Sequence, residues 1–415
     1  MRDILILLAI FASLPFVLKD PINGVLMWVL VSVMNPHTQC WGYAQHFPVA
    51  MIIAICTFFS ILKAPRSCRL PWTPETILLL TFILWMNITT LFAMFPNAAW
   101  TQWGKVMKIM LMNLVTLMVV RERADVQRLI GVIVLSLGFY GVKGGIFTLR
   151  TGGADLVWGP EDTFIGDNNA LALALIVTIP LMRYLQLATH RKWLKHVMTA
   201  IMLLSAVATL GSYSRGALLA IGAMLVYMWL KGRHKLLGGA LLLICVPLVL
   251  MLMPERWSTR MDSINSYQED DSAMGRINAW RMAFNLASDR FFGGGFEVSE
   301  PLAFFLYAPV PSDVHAAHSI YFQALGEHGY VGLVLYMLLG LFTWRSATVV
   351  VRQAAMQEEF AWAGSLARMI QASMVGFAVG GAFLSLLYYD VPYYLMAAVV
   401  AMRAQLRGRV PNTTV

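Results

Sequence analysis

Two polar runs decide how this chain is read: PERWSTRMDSINSYQEDDSAMGRINAWRMAFNLASDRFFGGGFEVSE (residues 254–300) and HAAHSIYFQALGEHGYVG (residues 315–332). Strongly apolar segments flank the interval they enclose, and elsewhere polar residues come only in short loops. The interval is therefore the one long stretch polar enough to hold a site, and nearly everything else reads as membrane. Apolar runs of about 15–22 residues alternating with short charged loops mark a helical protein that crosses a bilayer repeatedly.

Composition agrees. Of 415 residues, 59% are hydrophobic and 13% charged, with a mean hydropathy of +0.66; soluble domains carry roughly 25% charged residues. The runs are continuously apolar, not alternating every second residue, which argues against a transmembrane β-barrel. Candidate segments fall near 3–18, 21–36, 47–62, 73–92, 104–120, 127–148, 169–188, 194–211, 213–230, 235–253, 329–345, 365–385 and 387–403. Lys19-Asp20-Pro21 separates the first two, which read as a broken pair. The expectation is an all-α polytopic membrane protein, a single integral membrane domain over 1–415 with about twelve transmembrane helices. One large loop region, 254–328, is expected outside the bilayer as short amphipathic helices carrying part of the site. No appended soluble domain is expected, and the amino-terminal stretch reads as a retained helix because it lacks a small-residue cleavage site.

The net charge of +9 would suit a nucleic-acid partner, but its placement does not. Basic residues gather in loops: Lys63, Arg66 and Arg69; Arg121, Arg123 and Arg128; Arg191, Lys192 and Lys195; Lys231, Arg233 and Lys235; Arg345, Arg352 and Arg368; Arg403, Arg407 and Arg409. Counting spans puts all six clusters on one side, which the positive-inside rule makes cytoplasmic. Residues 211–214, 254–328 and about 386 then face outward. Of the four cysteines, Cys56 and Cys245 lie in apolar segments, Cys68 in a basic loop and Cys40 alone, so no disulfide or metal framework is implied.

That orientation makes a few cations exceptional. Lys105, Lys108, Lys143, Arg150 and Arg215 fall at outward helix ends, where a cation snorkels to lipid phosphates or meets an anion. Arg215 stands out because Gly211-Ser-Tyr-Ser-Arg-Gly216 is a tight polar turn that leaves its side chain little freedom. A guanidinium binds phosphate oxygens in pairs. Arg276 and Arg281 fall on a short helix, with Arg276, Trp280 and Ala283 on one face and Trp280 expected as an interface anchor. The alternative for both arginines is a solvated face paired with Glu269, Asp270 or Asp271; Arg256 and Arg260 are less specific. His315 and His318 at i, i+3 are half of a metal pattern with no third ligand at helical spacing. His315 reads as structural, and a neutral His318 as a general base. Asp167-Asn168-Asn169 reads as a helix cap, with sugar-hydroxyl binding as the other reading.

No phosphate loop, serine-hydrolase signature, HExxH or Asp-x-Asp pair occurs. No metal or other cofactor is therefore expected, and the energy of any reaction must come from the substrate.

In combination these features resemble the O-antigen ligase and polymerase superfamily, bacterial membrane glycosyltransferases of the GT-C type. Ser214-Arg-Gly216 opens a mid-chain span, Gly275-Arg276 precedes Trp280 in the long loop, and His318-Ser…Leu-Gly-Glu-His-Gly-Tyr-Val-Gly332 is similar to the family's closing stretch. Ser319 stands where Asn is common. Asn35-Pro-His37 and Trp41-Gly42 are similar to a subgroup described as O-glycosylation ligases. The resemblance implies a glycan donor on undecaprenyl diphosphate, attack by an acceptor hydroxyl on the anomeric carbon, His318 as base, and Arg215 and Arg276 on the diphosphate. Arg281, Lys105, Lys108 and Lys143 join from the reading of the residues alone. The leading expectation is an O-antigen ligase of the bacterial inner membrane with its site facing the periplasm, lipid A–core as acceptor and membrane lipid as surroundings. An O-antigen polymerase and a protein O-oligosaccharyltransferase use the same donor. A lipid-linked saccharide transporter is the reading from another class; it would place charges at mid-membrane in pseudo-symmetric halves.

Overall fold

The computed structural model describes residues 2–63, 68–232 and 271–408, with isolated positions between 235 and 243. Arg256, Arg260, Glu269, Asp270 and almost all of the apolar 235–253 segment lie outside the described residues. Among the described residues every regular element is helical. The long helices are α1 (Arg2–Lys19), α2 (Pro21–Met34), α3 (Val49–Lys63), α4 (Pro74–Leu91), α5 (Pro96–Val119), α6 (Arg123–Thr151), α7 (Asn168–Ala188), α8 (Lys192–Leu210) and α9 (Arg215–Lys231). After the undescribed stretch come α10 (Asp271–Asp289), the short α11 (Pro301–Tyr307), α12 (Ile320–Ala354), α13 (Ala361–Gly380) and α14 (Asp390–Arg407).

Local chemistry sets the ends. The Asp20 carboxylate accepts from Ile22 N at 3.3 Å and breaks α1 from α2, as Lys19-Asp20-Pro21 suggested. Thr73 caps α4 ahead of a first-turn proline, and Glu122 with Asp125 forms a capping box at α6. Within α12, Gly329 takes φ 67° and ψ −173°, values open to glycine and costly for any other residue. A short arm, 320–328, thus meets a long span at the residue where the apolar run begins.

Among the described residues six helices are long and apolar enough to cross a bilayer: α4, α6, α7, α8, α12 and the stretch around α13. Two shorter apolar helices, α2 and α3, accompany them. The chain is an all-α membrane protein, while the expected dozen spans exceed what length and composition support among the described residues. Lys105 and Lys108 interrupt the apolar run of α5, Arg403 lies within α14, α9 has 17 residues, and most of 235–253 lies outside the described residues.

The bundle is built on close helix pairs, α6 on α8, α7 on α8 and α13, and α13 on α9 and α12. Gly141 and Gly145 of α6 face Ser205 and Leu204 of α8, and a Cβ at Gly145 would stand 2.3 Å from the Leu204 carbonyl oxygen. Only glycine allows that approach, the usual device of helix packing in lipid. Among the described residues, Arg69, Arg121 and Arg403 come together at one end of the bundle. Arg121 donates to the Arg69 carbonyl at 2.6 Å, and Gln405 donates to the Arg121 carbonyl at 2.7 Å. Arg403 reaches Ser346 at 2.6 Å and lies 3.7 Å from Glu75. At the opposite end α10 and α11 form a cap whose own core (Ala279, Met282, Leu286, Val298, Ala303 and Phe304) closes over Met94 and Phe95 of the α4–α5 turn.

Candidate active site

Three helices begin where the cap meets the bundle. Asp167 caps α7, accepting from Asn169 N at 2.8 Å and Ala170 N at 3.0 Å, which is the capping role read from the sequence. Asn168 then donates to the Ser212 carbonyl at 2.7 Å, fastening the start of α7 to the polar turn before α9. In that turn Ser214 caps α9 by accepting from Ala217 N at 3.2 Å. Tyr213 has φ 56° and donates its hydroxyl to the Gly153 carbonyl. Arg215 is the first residue of α9 and half-buried.

The third helix, α12, is entered through His318 and Ser319. A one-turn segment, 381–383, bridges it to α9. A Cβ at Gly216 would lie 3.1 Å from Phe383 Cβ, and one at Gly381 would lie 2.6 Å from Ile320 Cδ1. The Arg215 turn and the His318 entry are therefore neighbours across a single layer of side chains.

Helix α10 brings Arg276 to the same place by being sewn to the chain before His318. Asn278 donates to the carbonyls of Val310 and Asp313 at 2.8 and 2.9 Å and accepts from Val310 N at 3.0 Å. Trp280 donates to the Ala317 carbonyl at 2.7 Å and stacks on Phe322, with centroids 5.0 Å apart and planes within 6°. The sequence suggested Trp280 as an interface anchor. In the structure the half-buried indole is a pin that fixes the residue preceding His318. Gly275 lies under the His315 ring, where a Cβ would come within 2.8 Å of Nδ1. The glycine of the Gly275-Arg276 pair is there to let α10 pass.

His318 is half-buried at φ 41°, a strained backbone of the kind that gathers at functional sites. Burial lowers its pKa from the ordinary imidazole value, with a further push from the Arg276 charge and a smaller one from His315. The Asp167 carboxylate works the other way. A neutral imidazole facing a cation and an N-capping acid can accept a proton without first having to lose one. Next to it, Ser319 Oγ is buried and makes no hydrogen bond among the described residues. His315 is exposed and pairs through Nδ1 with Asp313 at 2.7 Å, as a peripheral histidine would.

The other cations lie apart from this cluster. Arg281 is exposed, five residues beyond Arg276 and so turned about 140° around α10. Lys105 and Lys108 are exposed on α5, about 14 and 18 Å along the helix from its start, and Lys143 is exposed on α6, about 12 Å before its end. None of the four makes a hydrogen bond or ion pair among the described residues.

One buried network was not foreseen. Tyr388 donates to Glu327, and its hydroxyl lies 2.6 Å from His328 Nε2. Thr89 Oγ1 lies 2.7 Å from His328 Nδ1, and Trp85 donates to the His328 carbonyl at 2.8 Å. Gln323 donates to Glu327 at 3.4 Å and accepts from Leu387 N at 3.3 Å. Adjacent acid and base at the head of an apolar run were the available signal, since such a pair enters a protein interior only with partners.

Fold and site together define a multi-pass helical membrane protein with a histidine, flanked by arginines, at one end of its bundle. Residues 200–337 match the family described as O-antigen ligase, and residues 1–190 match one described as a family of unknown function. The match over residues 200–337 supports membership in the O-antigen ligase and polymerase superfamily. That family suggests a glycosyltransferase-like enzyme and implies, in general terms, a lipid-linked glycan and a lipid acceptor as substrates. The ligase match contains Arg215, Arg276 and His318. No curated protein matches the chain.

Proposed function

We propose that this chain is an O-antigen ligase, transferring a glycan from undecaprenyl diphosphate to a sugar hydroxyl of lipid A–core. His318 takes the proton of the acceptor hydroxyl as its oxygen bonds to the anomeric carbon. The bond from that carbon to the diphosphate oxygen breaks, and undecaprenyl diphosphate departs with the electron pair. Arg215 and Arg276 hold the diphosphate, whose growing charge they stabilise more in the transition state than in the ground state. The N-termini of α7 and α9 point partial positive charge at the same place. Arg281, Lys105, Lys108 and Lys143 act at longer range, drawing the anionic donor along the outer surface.

The observation that carries this reading is the convergence of Arg276, the Arg215 turn and Asp167 on a partly buried, neutral-leaning His318. The site lies at the end opposite the basic loops, so the positive-inside rule supports a periplasmic site in the inner membrane. The test is reconstitution of the full chain with lipid-linked O-glycan and lipid A–core in the presence of EDTA. Glycan-modified lipid A–core is the expected product. Longer lipid-linked chains in its place would make the protein a polymerase, transfer only to a protein acceptor would make it a protein O-oligosaccharyltransferase, and movement of unaltered donor would make it a transporter.

A further inference from the structure

The end of the bundle that carries the basic loops has a cavity of about 600 Å3 in the cleft between α9, α12 and α13. Its described walls are mostly apolar, with Tyr227, Trp344 and Met369 prominent, and the rings of Tyr227 and Trp344 meet edge to face at 5.5 Å. Deeper in, the polar groups satisfy one another: Tyr227 donates to Gln371 at 3.2 Å, and Gln371 donates to Thr348 at 2.8 Å. The cavity's inner end asks nothing of a ligand.

Its rim is different. Lys231, Arg352 and Arg368 line it, one from each helix, and the described lining holds no acidic residue. All three are exposed, and none makes a hydrogen bond or ion pair among the described residues. Lys231 and Arg352 stand in the last turns of α9 and α12, where the helix dipole tolerates cations but supplies only a partial counter-charge. Three like charges above one apolar cleft suit an amphiphile with an anionic head and hydrocarbon tails.

We propose that this cleft is a binding site for an anionic glycerophospholipid, its phosphate held by Lys231, Arg352 and Arg368 and an acyl chain lying along Trp344 and Met369. Basic pockets between helices at this level of a bilayer are suited to such headgroups. The site is remote from His318 and holds whatever reaction that histidine serves. A lipid there braces α9, which carries Arg215 at its far end, against α12, which follows His318.

The test uses the purified full chain in a neutral detergent, titrated with phosphatidylglycerol, diphosphatidylglycerol, phosphatidylcholine of matched acyl chains, and inorganic phosphate, with Tm and native mass spectrometry as readouts. The anionic lipids are expected to raise Tm and remain bound, while phosphatidylcholine and phosphate do neither. The K231Q/R352Q/R368Q variant is expected to need at least tenfold more anionic lipid for the same shift. Because removing three topogenic charges can spoil insertion, Met369→Trp provides a second arm that keeps the charges and fills the cleft, and it should lose bound lipid equally. Equal stabilisation by phosphatidylcholine, saturation by phosphate alone, or unchanged lipid retention in either folded variant would overturn the proposal.

Discussion

His318 and His328 stand ten residues apart on either side of the first turns of one helix, and the chain treats them oppositely. His328 is fully buried, with Thr89 and Tyr388 on its two ring nitrogens and aromatic edges from Phe82 and Phe296 around it. His318 is half-open, strained in backbone, and surrounded by charges at a distance. A satisfied imidazole has nothing left to offer a substrate and is worth its hydrogen bonds to the fold. An unsatisfied one costs stability and retains reactivity. Ser319 belongs with the second kind and Glu327 with the first.

The sharpest way to break that contrast is His318→Ala. Activity should fall about 10²–10⁴-fold, the span of general-base catalysis, while Tm and donor binding stay near wild type. Full turnover would end its role as base. Next in size, Arg215→Lys keeps the charge but loses the paired geometry. A loss of about 10–100-fold in kcat is expected, the worth of one charge-assisted hydrogen bond of about 1.5–3 kcal/mol. Wild-type kcat in that variant would leave Arg215 structural.

Tyr388→Phe probes the other histidine. It strips Glu327 and His328 of a shared partner and should lower stability by about 1–3 kcal/mol, read as Tm, while kcat per folded molecule changes less than about threefold. If kcat collapsed with Tm unchanged, the buried network would belong to the chemistry and the contrast would fail.

The smallest effects are in pH. His318 is held below the ordinary imidazole value, so the neutral base persists, and kcat/KM should hold, somewhat below pH 6.5 before protonation removes it. Asp167→Asn keeps the α7 cap but removes the charge that raises this pKa, so the acidic limb should move to lower pH. Arg276→Gln removes a charge that lowers it, so the limb should move to higher pH. Shifts in the same direction would mean that neither charge reaches His318.

The helices were legible because a bilayer imposes length and apolarity on each span. Lys19-Asp20-Pro21, Asp167 and the three glycines after Phe292 announced their breaks by local chemistry. Length and composition single out six helices among the described residues, and the expected dozen spans goes beyond what those two properties decide. Around the site, Arg215, Arg276 and His318 were singled out by type and position, and the structure gathers the helix ends that carry them. The partner of Trp280, the Ala317 carbonyl 37 residues on, was not legible. The Glu327–Tyr388–His328–Thr89 network joins positions up to 299 residues apart in sequence, 388 against 89, a distance that periodicity does not reach.

The glycine seam between α6 and α8 has a consequence for how this protein could be recombined. The two family matches part between residues 190 and 200, at the α7–α8 turn, as if the chain were two exchangeable modules. Yet α6 from the first stretch is pressed against α8 from the second at Gly145 and Leu204. Asp167 and Asn168, from the first, complete surroundings whose arginines and histidine come from the second. A chimera cut at that border would exchange half of a contact surface along with half of a site, so the boundary seen in sequence is not a seam along which the molecule can be parted.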